Sequence, residues 1–465
     1  MKNWIKGANS TVITIAVVGI FILLTLFLSS LSGLQWDLTA NKKYTLSDQT
    51  LEVLKSLDRD VHVIAFTEQS GSVSSDVSGL LDEYQKRSKR ITWEEVNPIK
   101  EPSIAQKYEV TSYGTVVFES GGKTVSVSSY DLYNYNNYDY SYTFNGEAEF
   151  TSALIKLTSA KEYKGYFLTG HGELTVSQAY TLQRGLSNDN MTLTDLNLVK
   201  DGAIPEDADT IFVLGPVYDL SDEETEKLLN YLDNGGKLFM TIGIVDGMEG
   251  WTNWPKIMEK VGIKSQSALV VESGDQALAN DPFTIIPNYG IHDIVNKLDE
   301  QNRIAVMPAS LALTTVEGSN LTAKVLLRTS NNAYGKTNLS YFTSATQIPR
   351  DAIAKAEGDL EGPLNIAYAI EDADGNPKAV VVGNSAFLQN SILQLQGNLD
   401  FALNSVGWLQ ERQDLVSIRP REEAALEQAY IKPNEAKWIF YGTIVAFPLL
   451  FLVAGSVVWW RRRKG

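Results

Sequence analysis

Residues 209–242 read DTIFVLGPVYDLSDEETEKLLNYLDNGGKLFMTI, and this stretch decides the fold class. Asp209 to Gly215 is a short apolar run ended by Pro216, the pattern of a strand buried on both faces. Ser221 with Glu224 three residues later forms a capping box ahead of an amphipathic helix that runs to Leu232. Asn234-Gly235-Gly236 stops that helix, and Lys237 to Ile242 is the next buried strand. Strand, helix and strand in so short a span make a βαβ unit, which requires parallel pairing. Upstream, Gly165 to Glu173 (GYFLTGHGE) is a strand running into a Gly-rich turn, followed by a helix over Val176 to Leu186 and an alternating strand over Thr192 to Leu198. Downstream, short strands are expected near Val270 and Ile304 and over Leu321 to Arg328. Lys378 to Gly383 reads as a last central strand and Leu399 to Leu409 as a helix beside it. The expectation for 161–412 is an α/β domain whose sheet is mainly parallel and covered by helices.

The stretch 36–160 has a different rhythm. Ser47 is placed to cap a helix carrying Leu51, Val53, Leu54 and Leu57. Strands follow at Val61 to Phe66 and Ile91 to Val96, separated by a helix over Asp76 to Arg90. A short helix at Ala105 to Tyr108 precedes two strands, Thr115 to Glu119 and Thr124 to Ser128, turned by Gly121-Gly122. Gly146 to Leu157 closes the run. The order β-α-β-α-β-β-α is that of a thioredoxin-like domain. The chain has no cysteine, so thiol redox chemistry, disulfides and thiolate metal sites are excluded. The Tyr- and Asn-rich segment YDLYNYNNYDYSYTFN (130–145) reads either as an exposed recognition loop or as an ordered loop with packed rings.

Both ends of the chain are apolar. Val12 to Leu31 and Trp438 to Trp460 are uncharged and long enough for a bilayer core of roughly 30 Å. Lys2 and Lys6 precede the first; Arg461, Arg462, Arg463 and Lys464 follow the second. The positive-inside rule then places both termini in the cytoplasm and residues of about 35–436 outside it. A cleaved signal peptide is the alternative for the first segment, but its apolar run exceeds the ~7–15 residues usual for a signal. A linker (413–436) would return the chain to the second span, which with the basic tail occupies 437–465. The net charge is −16, and those basic flanks leave the middle more acidic still. Such a surface repels nucleic acid, which is discounted as a partner.

Chemistry-bearing residues are few. Of three histidines, His62 lies within a strand and His292 opens a short helix, where either solvent exposure or a capping role is expected. His171 and Glu173 stand at the carboxyl end of a strand, where open α/β sheets bind ligands. They are candidate ligand contacts or an acid/base pair; the competing reading is a Gly-permitted turn with His171 bonded to a neighbouring loop. Asn384 and Ser385 follow the last central strand and are candidates for the same rim. Gly383 to Phe387 lacks the G-x-S-x-G elbow of a serine nucleophile. The segment 371–376 (EDADGN) is too short for a calcium loop and reads as a polar hairpin tip. No metal and no cofactor is expected, and no Walker A run is present.

Several motifs then fall in one order: Asp37-Leu38-Thr39, Lys43-Tyr44-Thr45-Leu46-Ser47, Asn145-Gly146-Glu147, Gly170-His171-Gly172-Glu173, the helix from Leu220-Ser221 to Asn234-Gly235-Gly236, and Ser417-Ile418-Arg419-Pro420. In this they resemble the GldG-like auxiliary components of ABC transport systems, some of whose relatives are tied to gliding motility. The resemblance implies a membrane-bound subunit without ATPase activity, working beside an ABC ATPase and a permease. It also implies a second domain similar to class I glutamine amidotransferases, here without the nucleophilic cysteine. An accessory subunit with an extracytoplasmic domain for an envelope ligand or partner is the leading expectation. The rivals are a membrane-tethered hydrolase using the GHGE turn and a scaffold between membrane and cell wall.

Overall fold

The computed structural model describes residues 46–135, 142–272, 276–343, 350–395 and 397–412, with scattered positions beyond. The first apolar segment, nearly all of the second, and most of the linker lie outside the described residues. Among the described residues no helix is long and apolar enough to cross a membrane.

The first sheet is built from β1 (Val61–Phe66), β2 (Ile91–Val96), β3 (Val116–Ser120) and β4 (Lys123–Val127), in the order β2-β1-β3-β4. β1 runs parallel to β2 and antiparallel to β3, and β3 pairs with β4 as a hairpin. β1 is central and nearly all buried, as its apolar run VHVIAF requires. The helices Asp48–Ser56, Ser75–Arg87, Pro102–Lys107 and Gly146–Thr158 complete the β-α-β-α-β-β-α order read from the sequence. Before the last of these the chain adds a short helix, Ser129–Leu132, and a hairpin of β5 (Tyr133–Tyr135) and β6 (Tyr142–Phe144). Part of the Tyr-rich segment is therefore ordered: Tyr133 packs on Phe144 at 5.3 Å and bonds Ser74 at 3.1 Å. Tyr130, by contrast, is 84% exposed.

The second sheet has twelve strands. Its parallel half is formed by β7 (Tyr163–Leu168), β8 (Met191–Leu196), β9 (Thr210–Leu214) and β10 (Leu238–Thr241). The other half holds β11 (Ile263–Val271), β13 (Asn288–Tyr289), β15 (Leu311–Thr315), β16 (Thr322–Arg328), β17 (Tyr334–Lys336), β18 (Leu360–Glu361), β19 (Asn365–Glu371) and β20 (Pro377–Val382), while β12 (Thr284–Ile285) and β14 (Met307–Pro308) form a small pair outside this sheet. The main path runs β18-β17-β11-β15-β19-β20-β10-β9-β7-β8, with β16 pairing β19 and β13 pairing β16. β20 joins β10, β9, β7 and β8 in parallel, whereas every pairing on the β19 side is antiparallel.

Alternation along β9 shows how the layers form. Phe212 and Leu214 face a core shared with Phe167, Phe239, Leu182 and Phe401, from the helices Tyr180–Asn188 and Asn398–Leu409. Ile211 and Val213 face the opposite core with Leu228, Trp254 and Ile257, from the helices Asp222–Asp233 and Asn253–Lys260. A strand covered on both faces has no polar side, so its sequence is a continuous apolar run.

The expectation of a mainly parallel sheet holds for 163–241 and 377–382 and fails for 263–371. Antiparallel strands need only turns between them, so this half lacks the strand–helix alternation that marks the other. Irregular register in β11 and β16 blurs the pattern further. The short strand expected near Ile304 is β14, three residues on; Ile304 itself lies in the loop before it, packed with Ile286 and Val306. The helix expected from Val176 begins at Tyr180. The chain before it makes a turn instead, with Gln178 and Ala179 N–H on the Thr175 carbonyl, and is tied to the sheet edge by Leu174 N–H on the Leu214 carbonyl and Val176 N–H on Asp195.

Candidate functional site

β7 has β8 on one side and β9 on the other, so the loops leaving β7 and β9 diverge at the carboxyl edge of the sheet. That is where an open α/β sheet has its crevice, and Gly170 to Glu173 occupies it. Gly172 adopts φ +85°, and a Cβ there would meet Val217 at 2.8 Å. Only glycine permits both the left-handed backbone and this approach. The His171 carbonyl accepts the N–H groups of Val217 and Tyr218 at 2.7 and 3.0 Å, tying the two loops together.

The His171 ring lies between two carboxylates. Nδ1 is 3.2 Å from Glu173 Oε1 and Nε2 is 3.1 Å from Glu224 Oε2. Glu173 also accepts the His171 backbone N–H at 2.7 Å, and its side chain is fully buried. Glu224 accepts the Ser221 N–H at 3.1 Å and hydroxyl at 2.7 Å, closing the capping box of the helix Asp222–Asp233. The edge of the Trp254 ring covers the imidazole at 6.1 Å. Burial disfavours charge on His171, but the hydrogen bonds and charges of Glu173 and Glu224 outweigh it, and its pKa is raised. Burial likewise pushes Glu224 up, yet Ser221 and His171 together hold it below the ordinary value. Each ring nitrogen faces a carboxylate oxygen, which accepts, so the arrangement favours a protonated ring donating on both sides. With both ring nitrogens engaged, no lone pair is left to take a proton from a substrate.

Asn384 and Ser385 leave β20 at the same edge but do not bond to His171 or Glu173. Asn384 is fully buried; its amide N–H groups bond the Pro308 carbonyl and Ser310, and its oxygen accepts the Phe387 N–H. Ser385 is half-buried against Gly215 and Gly243; a Cβ on Gly215 would meet it at 2.7 Å. Among the described residues no side-chain group of three or more His, Asp or Glu could hold a metal ion.

In the sequence, the Ser221–Glu224 capping box marks Glu224 as a helix cap alone. Its second role needed the pairing of β7 with β9, which brings the turn after one strand against the helix after the other. Other motif residues also meet one another. Glu147 accepts the Ser47 N–H and the Thr50 hydroxyl, both at 2.7 Å, so Asn145-Gly146-Glu147 caps the helix that Ser47 opens. Arg419 bonds Asp189 at 2.5 Å, the Asn404 oxygen at 2.8 Å and the Leu415 carbonyl at 3.0 Å, and lies 3.7 Å from Asp400. Asp189 also accepts from Gln49 at 3.0 Å, which links the first helix to this cluster. His62 is half-exposed and pairs with Glu94 at 3.1 Å. His292 caps its helix, Nδ1 accepting the Ile294 N–H at 3.2 Å. Asp372 accepts from Asn376 at the tip between β19 and β20, as a hairpin tip should.

This is an α/β protein whose carboxyl-edge crevice is closed by an ionic lock. Residues 166–405 match the family described as an ABC-type uncharacterized transport system, and the chain belongs to that family. Residues 40–133 match a domain of unknown function (DUF7088). No curated protein matches the chain. Among solved structures, the mmIFT52 N-terminal domain is 17% identical, covers 53% of this chain and 97% of that one, and has a TM-score of 0.39. A mutant of the alkylhydroperoxide reductase component AhpF from Enterococcus faecalis is 16% identical over 29% of this chain and 56% of that one, with a TM-score of 0.19. The NTD_N/C domain of AhpF from the same organism is 13% identical over 33% and 79%, again at 0.19. Likenesses this weak carry no argument about fold or function.

Proposed function

We propose that the chain is a membrane-anchored, non-catalytic auxiliary subunit of an ABC transport complex, of the GldG-like type. The observation that carries this reading is the family match over 166–405. The geometry supports it: His171, Glu173 and Glu224, the best-placed acid/base groups, are spent on one another. The helices at 12–31 and 438–460 anchor the chain and pack against the permease, and the acidic part between them works outside the cytoplasm. There 36–160 forms a thioredoxin-like domain and 161–412 an amidotransferase-like one, neither with a cysteine. ATP hydrolysis belongs to a partner ATPase. In this reading His171, Glu173 and Asn384 serve the architecture of the rim, and Ser385 keeps a hydroxyl that no described residue bonds. Co-purification in mild detergent from native expression tests the proposal. An ATPase and a multi-span permease should be retained with the chain; their absence overturns it.

A further inference from the structure

We propose that the cleft beside the end of β16 binds a small polar organic anion, with one carboxylate or phosphate on a body rich in hydrogen-bonding groups. The cleft encloses about 670 Å³ and is walled by residues 286–289, which run into β13, by residues 299–304 at the end of the helix Asp293–Glu300, and by residues 328–331. That volume falls in the range of about 300–1,000 Å³ usual for small-molecule sites, but the lining is far more polar than usual. A polar wall selects a ligand that returns the hydrogen bonds it takes from water.

The charge points to an anion. Among the lining residues Arg303 is buried, engaged within the protein and matched in charge by Asp299, which leaves Arg328 as the cation facing the cleft. Arg328 is exposed, and its side chain has no hydrogen bond or ion pair with any described residue. A planar guanidinium presents a fork matched to a carboxylate or phosphate. The amides of Asn302 and Asn331 line the cleft and make no side-chain hydrogen bond to a described residue. The wall behind them is fixed. The Tyr289 hydroxyl donates to the Arg303 carbonyl at 2.7 Å, Gln276 donates to Asn288 at 2.8 Å, and Asn288 donates to the Thr329 carbonyl at 3.3 Å. Glu272, the nearby acid, is turned onto Ser330, accepting its hydroxyl at 2.7 Å and its N–H at 3.1 Å. Rigid walls with free donors keep the ordering cost of binding low.

The proposal deepens the auxiliary-subunit reading and rests on it. The test is calorimetric titration of the full-length chain in mild detergent with gluconate, its uncharged counterpart sorbitol, and inorganic phosphate. Gluconate should bind saturably, about tenfold or more tighter than either of the others, tenfold being 1.4 kcal/mol. Arg328→Ala should bring gluconate to the level of sorbitol. Because Arg328 is exposed and unbonded, the variant should unfold at the wild-type urea midpoint. Asn331→Ala should weaken gluconate by a few-fold. No saturable binding of gluconate, equal affinity for gluconate and phosphate, or an unchanged Arg328→Ala would overturn the site. Retained co-purification with an unresponsive cleft sinks the cleft alone, whereas loss of co-purification sinks the auxiliary reading.

Discussion

Replacing His171 by alanine should destabilise the larger α/β region most at mildly acid pH. The substitution leaves Glu173 and Glu224, with side chains 0% and 4% exposed, facing a gap with no cation between them. Removing one partner of a buried ion pair costs roughly 3–5 kcal/mol. Each carboxylate keeps backbone or hydroxyl donors, Glu173 from the residue-171 N–H and Glu224 from Ser221. The lower end, about 3 kcal/mol, is therefore expected. The pH dependence has a definite sign. His171 is raised in the folded state, so its stabilisation is complete below the ordinary histidine value of 6.5 and fades as pH climbs through the folded value. Glu224 is depressed, so its share is complete above the ordinary value of 4.5 and fades as pH falls through the folded value. The lock is fully made between those two limits. Urea unfolding at pH 5.5 and at increasing pH, on wild type and on His171→Ala, reads it directly. The gap between the two midpoints should narrow toward alkaline pH. A gap that is constant with pH, or a loss below about 1 kcal/mol at pH 5.5, the range of an exposed pair, would refute the buried-imidazolium account.

Arg419→Ala strands the buried carboxylates of Asp189 and Asp400, and a loss of roughly 3–5 kcal/mol in urea unfolding is expected. Asp400, raised by burial and lowered by Arg419, can relax by taking a proton, so the deficit should shrink at acid pH. Ser221→Ala removes the cap of the helix Asp222–Asp233 and a donor to Glu224; a cost near the upper end of the ~0.5–2 kcal/mol cap range is expected by thermal unfolding. Glu147→Ala unbonds Ser47 and Thr50, and hydrogen exchange should show faster opening of the helix Asp48–Ser56 while β10 stays protected. Equal change at both places would argue against a local cap.

Much of the fold was legible because local chemistry repeated the global answer. Val61–Phe66 is the strand its apolar run announced, and the Ser221–Glu224 box caps the helix it preceded. The antiparallel half was not legible. β15 sits in mid-sheet through partners far along the chain, β11 and β19, and nothing near Leu311 announces it; of β19 only the hairpin tip at 371–376 was visible. The candidate rim was half legible: glycines around His171 marked a turn at a strand end, but not what would fill it.

By itself the sequence determined that no cysteine chemistry is available, that βαβ units build part of the chain, and that Ser47 and Ser221 start helices. Those features depend on residue type and on spacings of a few positions. Only the tertiary structure decided what the motif residues do. Glu224, Asp189 and Glu147 each take a partner from another element, and burial together makes those partners exclusive. A carboxylate in water has many possible partners; buried beside one cation, it has few, and the packing of strands and helices chooses them.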